Sequence, residues 1–189
     1  VAPDGRDHAL RTRAADILVG RAPPAGQGDD ITFEYLFEEK LFIVAGANHP
    51  LARKRKPTVA DLREQRWILP PPDTPMGRLT ETALAALGVP TDRPAITSTS
   101  MPLRFQLLAT GQFLTTLPGS LLHFSEMEPL LRALPFDLAK AASPVGVMTM
   151  RGVSLPPVAR LFAQYAREAA KSLQHLDTRS LTRRAQSAR

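Results

Sequence analysis

Cysteine is absent from the 189 residues, tryptophan occurs once, and aromatic residues make up 6% of the chain. Without thiols there can be no disulfide scaffold, thiolate zinc centre or cysteine nucleophile, although exported proteins can also lack cysteine. No apolar run approaches the roughly 18 residues of a membrane span. The opening Val1-Ala2-Pro3-Asp4-Gly5 does not have the composition of a secretion signal. A chain of this length forms one domain or two small lobes and buries roughly 70% of the surface its unfolded form exposes, enough for a core without staples. These absences predict a soluble, cytoplasmic protein with no membrane partner.

Catalytic and cofactor signatures are also scarce. His8, His49, His123 and His175 have no metal-ligand spacing, so no metal and no cofactor are expected. No Gly-x-Ser-x-Gly elbow, P-loop or Gly-x-Gly-x-x-Gly fingerprint occurs, and Ser120 reads as a helix N-cap before Leu121-Leu122 rather than as a nucleophile. Asp29-Asp30 and Glu38-Glu39 are adjacent carboxylates, but acid/base work needs convergence in space, which adjacency does not supply. The chain is expected not to be an enzyme.

Net charge is +6. The excess is concentrated in Arg53-Lys54-Arg55-Lys56 and in the last fifteen residues, which carry Arg179, Arg183, Arg184 and Arg189 against Asp177; the rest is close to neutral. A loop cluster and a polar tail are solvated features, unlike the basic stripe of a nucleic-acid surface.

Short apolar runs alternate with helical stretches, the pattern of a largely parallel sheet with crossover helices. The runs are 17–19, 41–44, 67–69, 96–98, 113–117 and 145–150. Leu79, Ala83, Ala86 and Leu87 predict a helix over 77–87 with Gly88 as a left-handed stop. Leu103, Leu107 and Leu108 predict a second helix ending at Gly111. Residues 66–117 thus read as a βαβαβ unit, with both helices expected on one sheet face. Ala9 to Ala15 reads as a helix end feeding the first strand. Pro156-Pro157 opens a last helix to about Leu173, with Val158, Leu161, Phe162, Tyr165 and Ala169 as its packed side. Residues 22–30 and 70–77 read as linkers.

What remains is a pair of strand-to-helix turns rich in hydroxyls and poor in titratable groups, Pro70 to Gly77 and Ser98-Thr99-Ser100-Met101-Pro102. In open parallel sheets, ligands lie beyond the carboxyl ends of the strands, where helix N-terminal N–H groups hold anions without a metal. Such turns bind rather than react; each hydroxyl alone could equally be capping its helix.

Motifs in order resemble a known family. They are Asp16-Ile17-Leu18-Val19-Gly20-Arg21, Leu36 to Val44, Asn48-His49-Pro50-Leu51-Ala52, Ala60-Asp61-Leu62, Trp67-Ile68-Leu69-Pro70, Thr97-Ser98-Thr99-Ser100, Leu107-Leu108-Ala109-Thr110-Gly111 and Leu117-Pro118-Gly119-Ser120. Together with the closing helix they are similar to the effector-binding domain of LysR-type transcriptional regulators.

The resemblance implies an α/β, two-lobed, periplasmic-binding-protein-like (type 2) fold with an N-terminally truncated first lobe. Residues 1–57 and 144–174 would form that lobe, 58–143 the second, and 175–189 a basic disordered tail. A small-molecule effector, an organic acid or sugar derivative, would lie in the inter-lobe cleft. Its implied contacts are Gly20 and Arg21 on the first lobe and Thr74, Ser98, Thr99, Ser100 and Met101 on the second. Operator DNA would be bound only through an N-terminal helix-turn-helix absent from this chain, and the assembly would be a homodimer or homotetramer. The alternatives are a transporter's solute-binding protein, which shares the fold, and a small α/β enzyme.

Overall fold

The computed structural model describes residues 5–23, 29–124, 130–138 and 141–174. The expected tail and the middle of the 22–30 linker lie outside them. Contacts divide the chain into two compact units, with boundaries between Glu39 and Lys40 and between Ala142 and Ser143. Both are α/β. The first boundary thus falls at residue 39 rather than 57.

The first unit holds α1 (Gly5–Arg11), β1 (Leu18–Arg21), β2 (Ile31–Glu39), β8 (Ser143–Met150) and α7 (Pro157–Lys171). Its sheet runs β1-β8-β2, and both pairings are antiparallel. Here the expected parallel arrangement is wrong. The strand β2 was not expected either: its three glutamates interrupt the apolar run, and an irregularity between Tyr35 and Phe37 shifts which side chains face inward. Leu10, Ile31 and Met148 form the buried centre, flanked by Leu18, Phe33 and Met150. The helix α1 stops at Arg11, short of the expected Ala15, because Arg13 takes a left-handed conformation at φ 61°.

The last helix reverses expectation. Val158, Phe162 and Tyr165 are 73%, 53% and 67% exposed, whereas Ala159, Ala163 and Ala170 are buried. The sequence has two apolar faces at helical spacing. The alanine face, with nothing beyond Cβ, lets the backbone come close to β2. Arg167 anchors this contact by pairing with both carboxylate oxygens of Glu34, one at 2.8 Å.

The second unit contains β3 (Leu41–Gly46), α2 (Pro50–Arg53), α3 (Val59–Arg63), β4 (Arg66–Leu69), α4 (Pro75–Ala86), β5 (Ile96–Thr97), α5 (Met101–Ala109), β6 (Phe113–Pro118), α6 (Gly119–Phe124) and β7 (Leu131–Ala133). Its sheet runs β5-β4-β6-β3-β7. The βαβαβ unit is present as expected, with β4 parallel to both β5 and β6. The strands β3 and β7 then join antiparallel. Gly88 ends the α4 segment at φ 74°, as its position predicted. The cluster Arg53 to Lys56 is exposed, with Lys54 holding Asp61 at 2.7 Å.

The two crossover helices lie on opposite faces, against expectation. α4 packs its Ala83 and Leu84 with Leu41, Ile43, Ala45, Trp67 and Leu114. α5 packs Leu108 with Phe42, Val44 and Leu117. Successive residues of β3 thus alternate between the helices, so all six of its residues are buried. The physical reason is direction. β5 lies to one side of β4 and β6 to the other, so the second crossover runs back across the sheet, and keeping its right hand moves its helix to the other face.

Candidate functional site

Because β4 and β5 are adjacent and parallel, the turns leaving their carboxyl ends emerge side by side. Ser98 N–H donates to Leu69 O at 3.0 Å, joining the start of one turn to the end of the strand that feeds the other. This is the placement the two hydroxyl-rich segments predicted.

In the 70–77 turn, Thr74 is the N-cap of α4. Its Oγ1 accepts from Gly77 N–H at 3.0 Å and donates to Pro71 O at 2.7 Å. The hydroxyl is therefore engaged in holding the turn. Gly77 is required there: a Cβ would stand 1.9 Å from Pro71 O. A concavity of about 270 Å³ opens beside this turn, lined among others by Leu69, Pro70, Thr80, Glu81 and Thr97.

The 98–102 turn is less occupied. Ser98 Oγ accepts from Ser100 N–H at 3.1 Å. Ser100 is the N-cap of α5 yet makes no side-chain cap bond, and Thr99 and Ser100 are both exposed. Met101 opens the helix and packs partly against the core below it. Of the five predicted residues of this unit, Ser98, Thr99 and Ser100 thus present polar groups at the turn, Thr74 serves its cap, and Met101 is half-buried.

Gly20 and Arg21 belong to the first unit. Gly20 stands opposite Gly146 on β8, and Arg21 Nε donates to Ser143 Oγ at 2.8 Å. Ser120 lies inside the first turn of α6 rather than at its cap, because the helix begins directly at Gly119. Among the described residues no group of three or more His, Asp or Glu side chains could hold a metal.

A residue that the sequence reading did not single out lies under the second turn. Arg104 of α5 is 3% exposed. Its Nη2 donates to Thr115 Oγ1 and, at 2.7 Å, to Thr116 O, and its Nη1 faces Met101 Sδ at 3.7 Å. Thr115 Oγ1 in turn donates to Ile68 O at 2.6 Å. Burial lowers the Arg104 pKa to about 10, which leaves it charged at neutral pH. The signal was present: Arg104 and Leu108 are four apart and share the buried side, whereas Leu103, assigned to that side from spacing, is largely exposed.

The pattern of the LysR substrate binding domain family matches residues 4–171. This chain belongs to that family. Relatives that it matches are named as HTH-type transcriptional regulators. GalR of Pseudomonas putida is 26% identical over 79% of this chain and 38% of its own length. PcaQ of Agrobacterium fabrum is 28% identical over 87% of this chain and 53% of its own length. The chain thus spans about half or less of the regulators it matches.

The structural comparisons agree on the fold. The regulatory domain of Synechocystis PCC6803 CcmR, solved with 2-PG, has a TM-score of 0.70 at 18% identity, covering 89% of this chain and 80% of that one. The effector binding domain of QuiR, solved with shikimate, has a TM-score of 0.61 at 18% identity, covering 91% and 79%. The α/β, periplasmic-binding-protein-like class expected of the LysR family is the fold observed. Among the described residues no helix is long and apolar enough to cross a membrane.

Proposed function

We propose that this chain is the effector-sensing part of a LysR-type transcriptional regulator. It binds a small metabolite without transforming it, and binding biases the arrangement of an assembly that controls transcription. The single observation that carries this reading is the pair of strand-to-helix turns at neighbouring parallel strand ends. They are rich in hydroxyls, and the second keeps its helix cap unused. The relatives' role as regulators supports it, as do the ligands named for the CcmR and QuiR domains.

The contacts belonging to this reading are Ser98, Thr99, Ser100 and Met101, with Thr74 holding the neighbouring turn and Gly20 and Arg21 in the first unit. DNA is engaged through a helix-turn-helix outside these residues. The assembly is a homodimer or homotetramer in the cytoplasm, and the two compact units are the lobes.

A thermal-shift panel of organic acids, phosphate esters and sugars tests this. A true effector at 100 times its Kd adds about 2.7 kcal/mol of stability and raises Tm. Ser100→Ala should weaken that ligand. A panel without any hit, or turnover of a panel compound, would overturn the reading.

A further inference from the structure

We propose that the ligand of the 98–102 turn carries an oxyanion, a carboxylate or a phosphate monoester, and that Arg104 is its buried counter-charge. This deepens the effector-binding reading and rests on it.

A guanidinium sealed in a protein interior is ordinarily paired with a carboxylate, because stripping its water without compensation costs several kcal/mol. Arg104 has no such partner among the described residues. Its contacts are a hydroxyl, a main-chain carbonyl and a thioether, all neutral, and its Nε has no hydrogen-bond acceptor. The site therefore holds a full positive charge and one unused donor in a region of low dielectric. Leucine or methionine would fill the same volume without that cost.

The charge lies at the turn. Helical side chains lean toward the helix N-terminus, and Arg104, in the first turn of α5, leans back until Nη1 reaches Met101 Sδ on the first helical residue. Above it are the first N–H groups of a nine-residue helix, whose N-cap hydroxyl makes no cap bond. Helix N-terminal N–H groups carry partial positive charge, so two independent fields of one sign meet at this place. No acidic residue stands in the first turn of α5. The 270 Å³ concavity on the α4 side, by contrast, is lined by Glu81 and Asp92 and would repel an anion.

Met101, half-buried at the start of α5, places its Sδ 3.7 Å from Arg104 Nη1. Its flexible thioether can yield to an incoming ligand where a β-branched side chain could not. On this account Arg104 both ties α5 to β6, through Thr115 and Thr116, and supplies the charge that selects an oxyanion.

The test uses the whole chain with four probes: shikimate, its methyl ester, 2-phosphoglycolate and glucose. Calorimetric titration gives Kd for each, and nitrogen-detected NMR follows the Arg104 Nε–Hε resonance, which needs no variant. The expected result is binding of shikimate or 2-phosphoglycolate, no measurable binding of the ester or glucose, and a shifted Arg104 Nε signal at saturation. Arg104→Gln should weaken the bound acid roughly 10- to 100-fold, and Arg104→Lys should recover part of that loss.

2-Phosphoglycolate carries a carboxylate beside its phosphate, so a follow-up titration with glycolate separates the two: binding of shikimate or glycolate identifies a carboxylate site, and binding of 2-phosphoglycolate with neither identifies a phosphate site. Binding of the ester or glucose with equal affinity, or acid binding that leaves the Arg104 signal and the Arg104→Gln affinity unchanged, overturns the counter-charge while sparing the effector reading. If none of the four probes binds, a wider panel of neutral and anionic metabolites decides. Hits confined to neutral compounds overturn this inference alone, and no hits at all overturn both.

Discussion

Thr80 and Thr116 join hydroxyls at 2.9 Å, from the middle of α4 to the centre of β6, across 36 residues of sequence. Both side chains are sealed from solvent, and the bond ties the helix that follows one turn of the site to the strand beneath it. A buried hydroxyl that loses its only partner costs about 1–3 kcal/mol, whereas removing both is closer to neutral. Thr80→Val should therefore lower the urea midpoint clearly. Adding Thr116→Val should cost less than a second independent loss. The single tryptophan, Trp67, is buried in the same unit and reports the transition by fluorescence. Strict additivity in the double-mutant cycle would show that the two hydroxyls do not interact.

Gly77 sets the 70–77 turn. Its amide feeds Thr74 Oγ1, and any Cβ would collide with main chain that cannot swing aside. Gly77→Ala should destabilise by about 1–3 kcal/mol, as overpacking does. A chemical-denaturation curve unchanged by that substitution would show that the turn relaxes freely.

His49 predicts a pH dependence. It is 1% exposed, its Nδ1 accepts from Leu51 N–H at 3.1 Å as the cap of α2, and burial holds its pKa below 6.5. The folded form keeps the ring neutral while the unfolded chain takes up a proton as pH falls past 6.5, so the unfolded state binds more protons and stability rises with pH. Stability should decline from pH 7 toward pH 5. His49→Asn keeps a capping oxygen that does not titrate and should flatten that decline. An identical slope in the variant would assign the effect elsewhere.

Asp61 acts in a lower window. Bonds from Lys54 Nζ and from the Thr58 main chain and hydroxyl lower its carboxyl to about 2. The stabilisation is complete above the ordinary value of 3.8 and disappears as pH falls through about 2. Asp61→Asn should remove this acid-dependent part, read as a smaller loss of helical circular dichroism between pH 4 and pH 2. A matching acid profile would refute it.

The face of α7 that packs can be checked directly. Ala163 is buried and Phe162 half-exposed. Ala163→Leu should destabilise by about 1–3 kcal/mol through overpacking, and Phe162→Ser should stay within about 0.5 kcal/mol. The opposite ranking in thermal melts would restore the face that side-chain size suggests.

That helix shows where local pattern ran out. Spacing located α7, α4 and α5 to within a few residues, and Gly88 marked the end of α4, because period and turn chemistry are properties of neighbouring residues. The order of motifs identified the family for the same reason. The two hydroxyl-rich turns were legible because β4, β5 and β6 form a local βαβαβ unit, whose geometry follows from short connections. The strand β2 was hidden by its glutamates and its bulge, and β7 by its brevity.

Tertiary structure alone decided which apolar stripe of α7 is inside, because two stripes competed and only the distance of closest approach to β2 favours alanine. It alone put α4 and α5 on opposite faces, since handedness acts on strand order, and strand order is set by pairing between distant segments. It also turned Arg104 from one arginine among many into a sealed cation. The spacing of Arg104 from Leu108 is a local signal, but the groups that seal it, Thr115 of β6 and through it Ile68 of β4, are brought beneath α5 only by the sheet.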